Sequence, residues 1–162
     1  TQILRDLAAD IEAARFDTGS EKLEIPVKLK VHDSIFVPLA KWSMLIAGNY
    51  RCVQKDAARS IKEAVHTDIE ASRATYNWVK KLCVGLGADE KDLVPFEKYA
   101  AAAQSLVTPS SAARALFAGA PNIERVDRLV KTIAAQKGEK SAVLDETVAL
   151  VDARLELNRK KA

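Results

Sequence analysis

Between Ser110 and Glu124 the chain gathers the residue types best suited to holding a small polar ligand. Two serines, Ser110 and Ser111, precede an alanine-rich run, and Gly119-Ala120-Pro121 makes a corner before Asn122, Ile123 and Glu124. A serine hydroxyl accepts hydrogen bonds from the free N–H groups at a helix start, so Ser110 or Ser111 opens a helix here. Proline and glycine at the corner end it, and a second helix is expected over 122–136. Glu124 then falls in the first turn, where a carboxylate suits the positive end of the helix dipole. An alcohol at Ser111 and a carboxylate at Glu124 are thereby set at adjacent helix starts, within reach of one ligand. Ala112, Ala113, Ala115, Ala118 and Gly119 are small enough for a backbone or a ligand to come close.

Other chemistries find less support. Cys52 and Cys83 are the only cysteines, far apart and without metal-ligand spacing. They are read either as buried thiols in a reducing cytosol or as a disulfide. His32 and His66 have no Cys or carboxylate partners at ligand spacing, so no metal site is expected. The sequence holds no G-x-S-x-G elbow and no H-E-x-x-H pair. Gly85-Leu86-Gly87 follows a helical pattern rather than a strand, and no third glycine arrives; it reads as a helix C-terminal cap.

The elements that must position these residues are mostly helical. Leu4, Leu7, Ala8 and Ile11 recur at helical spacing, predicting an amphipathic helix over 3–14. Leu23, Ile25, Val27, Leu29 and Val31 alternate with Lys22, Glu24, Pro26, Lys28 and Lys30, the period of a half-buried strand. Pro26 suits an edge position. Such a strand needs a local partner, a second copy of the chain, or a sheet outside this segment. Further helices are expected over 35–52, interrupted or started near Pro38, and over 55–86, with Ile61, Val65, Ile69, Trp78, Val79 and Leu82 inward. Others are expected over 95–106, 110–118, 122–136 and 141–159, with Gly138 closing the penultimate one. The pattern is that of a helical bundle with one small β element.

Composition sets outer bounds. With 162 residues, 48% hydrophobic and 29% charged, the chain can bury a sizeable core in one domain, 1–162. A net charge of +3, with basic and acidic residues interspersed, gives no footprint for nucleic acid. The basic tail at Arg159, Lys160 and Lys161 is a solvated helix end. No apolar run approaches the roughly 20 residues of a membrane span, so a cytoplasmic protein is expected. By residue type alone, Lys41 is a solvated helix lysine, Asn49 a helix-end residue, and Trp42 and Trp78 core or interface aromatics.

Several segments also resemble ketopantoate reductase-like proteins. The run from Leu7 to Asp17, ending Ala13-Ala14-Arg15-Phe16-Asp17, resembles the segment that follows the nucleotide-binding domain of that family. The stretch from Asp33 to Trp42, ending Ala40-Lys41-Trp42, resembles the start of its first C-terminal helix. Asn49, eight residues beyond Lys41, is similar to an asparagine of the same motif. Ser111, Gly119-Ala120-Pro121 and Ile123-Glu124 resemble its serine and its later glutamate. The chain departs from the pattern at Leu45, where a second asparagine is common, and at Ala115, where an aspartate is. Glu124 stands one residue later than the family spacing, leaving Asn122 and Ile123 as alternative counterparts. About a dozen residues around Leu23–Val31 read as an insertion.

The resemblance implies a mainly α bundle of the 6-phosphogluconate dehydrogenase C-terminal-like type. It implies the substrate-binding and dimerisation half of an NADP-dependent 2-keto acid reductase, as used in pantothenate biosynthesis. NADP would be bound mainly by a Rossmann domain absent here, and this half alone would not turn over. Lys41 and Glu124 would be catalytic: the lysine stabilises and protonates the developing alkoxide, and the glutamate orients it or binds substrate. Asn49 and Ser111 would hydrogen-bond the substrate, and the partners would be a small 2-keto acid and a second copy in a homodimer. The rival expectation is a non-catalytic helical dimerisation module, which Leu45 and Ala115 favour.

Overall fold

The computed structural model describes residues 2–25, 27–32, 34 and 36–161. The chain is mainly helical and divides into two compact units, Thr1–Ile35 and Phe36–Ala162. In the first unit, α1 (Gln2–Ala13) leads into an antiparallel hairpin of β1 (Arg15–Asp17) and β2 (Lys22–Glu24). Phe16 stands opposite Leu23, and Asp17 accepts from the Gly19 N–H at 2.8 Å to fix the turn. The helical spacing of α1 is real, yet none of its residues is buried within the described structure.

The alternating run from Leu23 to Val31 does not form one long strand. Among the described residues of the run only Lys22–Glu24 pairs, because β1 offers a three-residue ladder. Lys28 instead forms an exposed ion pair with Glu12 at 3.1 Å. Pro26, expected at a strand edge, lies outside the described residues.

The second unit begins with two short helices, α2 (Phe36–Leu39) and α3 (Lys41–Met44). The chain then widens into a π-helical turn, Leu45–Asn49, and tightens into a 3₁₀ turn, Tyr50–Cys52. Gly48 in the π turn is fully enclosed. A Cβ there would overlap the Tyr99 hydroxyl, which donates to the Met44 carbonyl at 3.2 Å.

The expected helix over 55–86 is two helices, α4 (Ile61–His66) and α5 (Ile69–Gly85). Capping groups inside the run cause the break. Ser60 and Glu63 form a reciprocal capping box at the start of α4, and Asp68 accepts from the Ala71 N–H at 2.9 Å to start α5. Residues 53–59 are a loop closed by a Val53–Ala58 bridge.

Next come α6 (Phe96–Ala103), α7 (Ser111–Phe117), α8 (Val126–Gln136) and α9 (Ala142–Arg159). Ser110, one of the two serines expected to open this helix, caps α7, and Ser141 caps α9. The expected start at Asn122 is moved: α8 begins at Val126, and Glu124 sits in the preceding loop rather than in the first turn. Asp127 occupies that turn instead.

Ile46, Val79, Leu82, Leu116, Val130, Leu144, Val151 and Leu155 interlock in the larger core. Each fully buried side chain of this size contributes roughly 1.5–3 kcal/mol. A second cluster stacks Tyr76 on Tyr99, ring centroids 5.3 Å apart, with Phe96 edge-on at 5.4 Å. Cys52 and Cys83 are buried as free thiols, and burial raises both, Cys83 to about 11. Among the described residues no helix is long and apolar enough to cross a membrane.

Candidate functional site

The π turn, the start of α7 and the loop before α8 meet around one cavity of about 280 Å³. Leu45, Asn49, Tyr50, Ser111, Ala112, Ile123 and Glu124 line it. Three of the four residues singled out in the sequence are therefore brought together. The apolar floor comes from Leu45, Ala112 and Ile123.

Ser110 and Tyr50 tie the backbones of the lining segments together, while the side chains of Asn49, Ser111 and Glu124 stay uncommitted. Ser110 Oγ donates to the Asn49 carbonyl at 2.7 Å and accepts from the Ala113 N–H at 3.2 Å. One serine thus caps α7 and ties it to the π turn, leaving Ser111 at the first helical position. Tyr50 Oη donates to the Glu124 carbonyl at 2.6 Å and accepts from the Val126 N–H at 3.0 Å. That clamp fixes the Glu124 carbonyl and the Val126 N–H around a non-helical Arg125, directly before α8. Among the described residues, the Asn49 amide, the Ser111 hydroxyl and the Glu124 carboxylate make no hydrogen bond within the protein.

Tyr50 was not singled out in the sequence, although it does most to place Glu124. A weak signal was present: an aromatic ring with a polar tip, next to Asn49, is suited to a buried hydrogen-bonded position. Burial pushes its hydroxyl up to about 12; nearby Asp127 and Glu124 add to this, and the Val126 bond opposes it.

Lys41 is exposed and does not line the cavity. It lies one α-turn before Leu45, whose N–H bonds the Lys41 carbonyl, so the two side chains leave the same helix face. Leu45 supplies apolar wall rather than a hydrogen bond.

Beside the cavity, residues 125–128 build a charge network. Arg125 grips fully buried Asp127 through two bonds, Nε to Oδ1 at 2.9 Å and Nη2 to Oδ2 at 2.8 Å. Its remaining arm reaches Asp152 at 2.5 Å, and Arg128 holds the same carboxylate at 3.1 and 2.8 Å. Burial pulls the Arg125 pKa down, but bonds to Asp127 and Asp152 outweigh it and leave it raised. Burial likewise pushes Asp152 up, and its bonds from Arg128 and Arg125 outweigh that and hold it below the usual carboxylate range.

Nothing in the described residues fits a dinucleotide cradle. Gly87, with φ +107°, ends α5, and Gly19 turns a hairpin; neither stands between a strand and a helix. No cluster of metal-ligating side chains is present among the described residues; His66 bonds the Ala100 carbonyl and Gln104 instead. Comparison with protein-family models, curated proteins and solved structures gave no match to this chain.

Proposed function

We propose that the Asn49–Ser111–Glu124 cavity binds a small 2-keto or 2-hydroxy acid, as the substrate half of a ketopantoate reductase-like NADP-dependent enzyme. The bundle would be of the 6-phosphogluconate dehydrogenase C-terminal-like type, and the dinucleotide would be carried by a separate domain. One observation carries the reading: three uncommitted polar side chains sit on backbones fixed by Ser110 and Tyr50 and face one small cavity. With the backbones already fixed, only the rotamers of these three side chains remain to be ordered on binding.

The roles follow from donor chemistry. Ser111 and the Asn49 amide can donate to carboxylate or carbonyl oxygens, while the Glu124 carboxylate accepts from a hydroxyl. Glu124 also repels an anionic substrate, so a cation must complete the site. In this reading Lys41, one turn before Leu45, would supply that cation by swinging in from its exposed position. Its ammonium is then the proton donor to the carbonyl oxygen once the substrate has drawn it inward. The hydride would come from NADPH carried by a separate domain.

Calorimetric titration with ketopantoate, its 2-hydroxy counterpart and plain acetate tests this. The proposal requires saturable binding of the first two, weakened about tenfold in Lys41→Met and in Ser111→Ala, consistent with loss of a charge-assisted or neutral hydrogen bond. Equal, non-saturable heats for all three acids would refute it.

A second reading rests on the unit Thr1–Ile35, where Ile3, Leu7, Phe16 and Leu23 are all exposed. Apolar residues gathered on so small a unit favour a helical dimerisation module. Sedimentation would decide it: a concentration-dependent dimer lost in Leu7→Lys with Phe16→Lys supports that role.

A further inference from the structure

A second cleft, of about 270 Å³, opens between the 53–59 loop and one face of α9. Arg51, Gln54 and Arg59 line one side, and Glu146, Thr147 and Leu150 the other. It shares no lining residue with the cavity at Asn49. We propose that this cleft is a binding site for a phosphate-class oxyanion, gripped between the guanidinium groups of Arg51 and Arg59.

The two arginines line the same cleft and are bonded to neutral groups only. Arg51 Nη1 donates to the Ala47 carbonyl at 3.1 Å and to Ser72 Oγ at 2.7 Å. Arg59 Nε donates to the carbonyl of Arg51 itself at 2.9 Å. These bonds leave Arg51 Nε and Nη2 and both Arg59 terminal nitrogens without an acceptor among the described residues. Neither arginine forms an ion pair among those residues, whereas Arg73, Arg125 and Arg128 all do.

Holding two like charges together is unfavourable unless an anion joins them. The cost is visible at Arg51, whose pKa is lowered first by burial and then by the neighbouring Arg59 charge, with the Asp68 and Glu146 charges offsetting part of it. The arrangement is nonetheless rigid. The Val53–Ala58 bridge, the Arg59 N–H bond to the Cys52 carbonyl at 3.0 Å, and Arg154 bonding the Lys55 carbonyl at 3.1 Å all fix the loop. A tetrahedral dianion matches two positive charges and offers acceptors to both forks, which the two oxygens of a carboxylate do less well. The cleft is small, so the occupant is inorganic phosphate or a compact phosphomonoester. Glu146 in the opposite wall weakens anion binding and thereby gives a second, opposite-signed handle.

The test titrates inorganic phosphate, glycerol 3-phosphate and acetate into the ¹⁵N-labelled chain at matched ionic strength. Saturable amide shifts confined to 51–59 and 143–150 are expected with the phosphates and not with acetate. Arg59→Gln should raise the phosphate Kd about tenfold or more, as for loss of a charged hydrogen-bond donor. Glu146→Gln, at an exposed site with no structural bond to lose, should lower it several-fold. Tighter binding of glycerol 3-phosphate identifies an ester as the occupant, and equal binding identifies the free ion; both support the site. Shifts spread over the surface, equal response to acetate, or a Glu146→Gln variant with unchanged affinity would overturn it.

Discussion

The segment 122–128 contributes to two polar centres of opposite character. At Arg125, Asp127 and Asp152 every charge is matched: a buried carboxylate meets a two-pronged guanidinium, and a second carboxylate is shared by two arginines. At Asn49, Ser111 and Glu124 the side chains are left open around a cavity. Tyr50 lies between them, bonding the Glu124 carbonyl on one side and the Val126 N–H on the other. Saturated polar groups hold a fold together, whereas polar groups left open on a fixed frame are available to a ligand.

The comparison is broken most forcefully at the saturated centre. Arg125→Ala leaves Asp127 buried and uncompensated, and should cost about 3–5 kcal/mol in urea unfolding. A loss below 1 kcal/mol would show that the network does not anchor α8 to α9. Tyr50→Phe is next. It removes two hydrogen bonds and orphans the buried Val126 N–H, for an expected loss of about 1–3 kcal/mol. Ligand affinity at the cavity should fall with it, because Glu124 loses its clamp.

Acid titration sharpens the contrast further. Since the folded Asp152 carboxyl is held below its ordinary value, its stabilisation is present above the unfolded value, about pH 4. It is lost as pH falls through the lower folded value. Asp152→Asn should therefore flatten the fall of stability below about pH 4, seen as a shallower change of the urea midpoint. The smallest effect belongs to the open centre. Ser111→Ala and Glu124→Gln should each shift stability by no more than about 0.5 kcal/mol, because neither side chain has a partner to lose. A loss of 2 kcal/mol in either would make them structural and remove the contrast.

Much of this was legible in the sequence. Helical periodicity gave the later helices, and the serine pair at Ser110 and Ser111 marked the start of one of them. The Ser110–Glu124 stretch also pointed to a shared ligand position, and Ser111 and Glu124 do line one cavity. The break at Thr67 and Asp68 was hidden because hydrophobic spacing continues across it, and only the capping carboxylate reveals it. Glu124 was assigned to a helix turn because nothing local announces the Tyr50 clamp, made across 74 positions of chain. The π turn is equally unannounced, and so is the close approach of Tyr99 to Gly48 within it. Alternation at Leu23–Val31 gave the type of element but not its length, which its three-residue partner limits.

The most direct measurement is a ¹⁵N-labelled titration with ketopantoate, followed at every assigned backbone amide. The account predicts saturable shifts clustered at residues 45–50, 111–112 and 123–126, abolished in an Asn49→Ala, Ser111→Ala double variant that remains folded. Saturable shifts centred elsewhere, or no shifts at millimolar ligand, would contradict it.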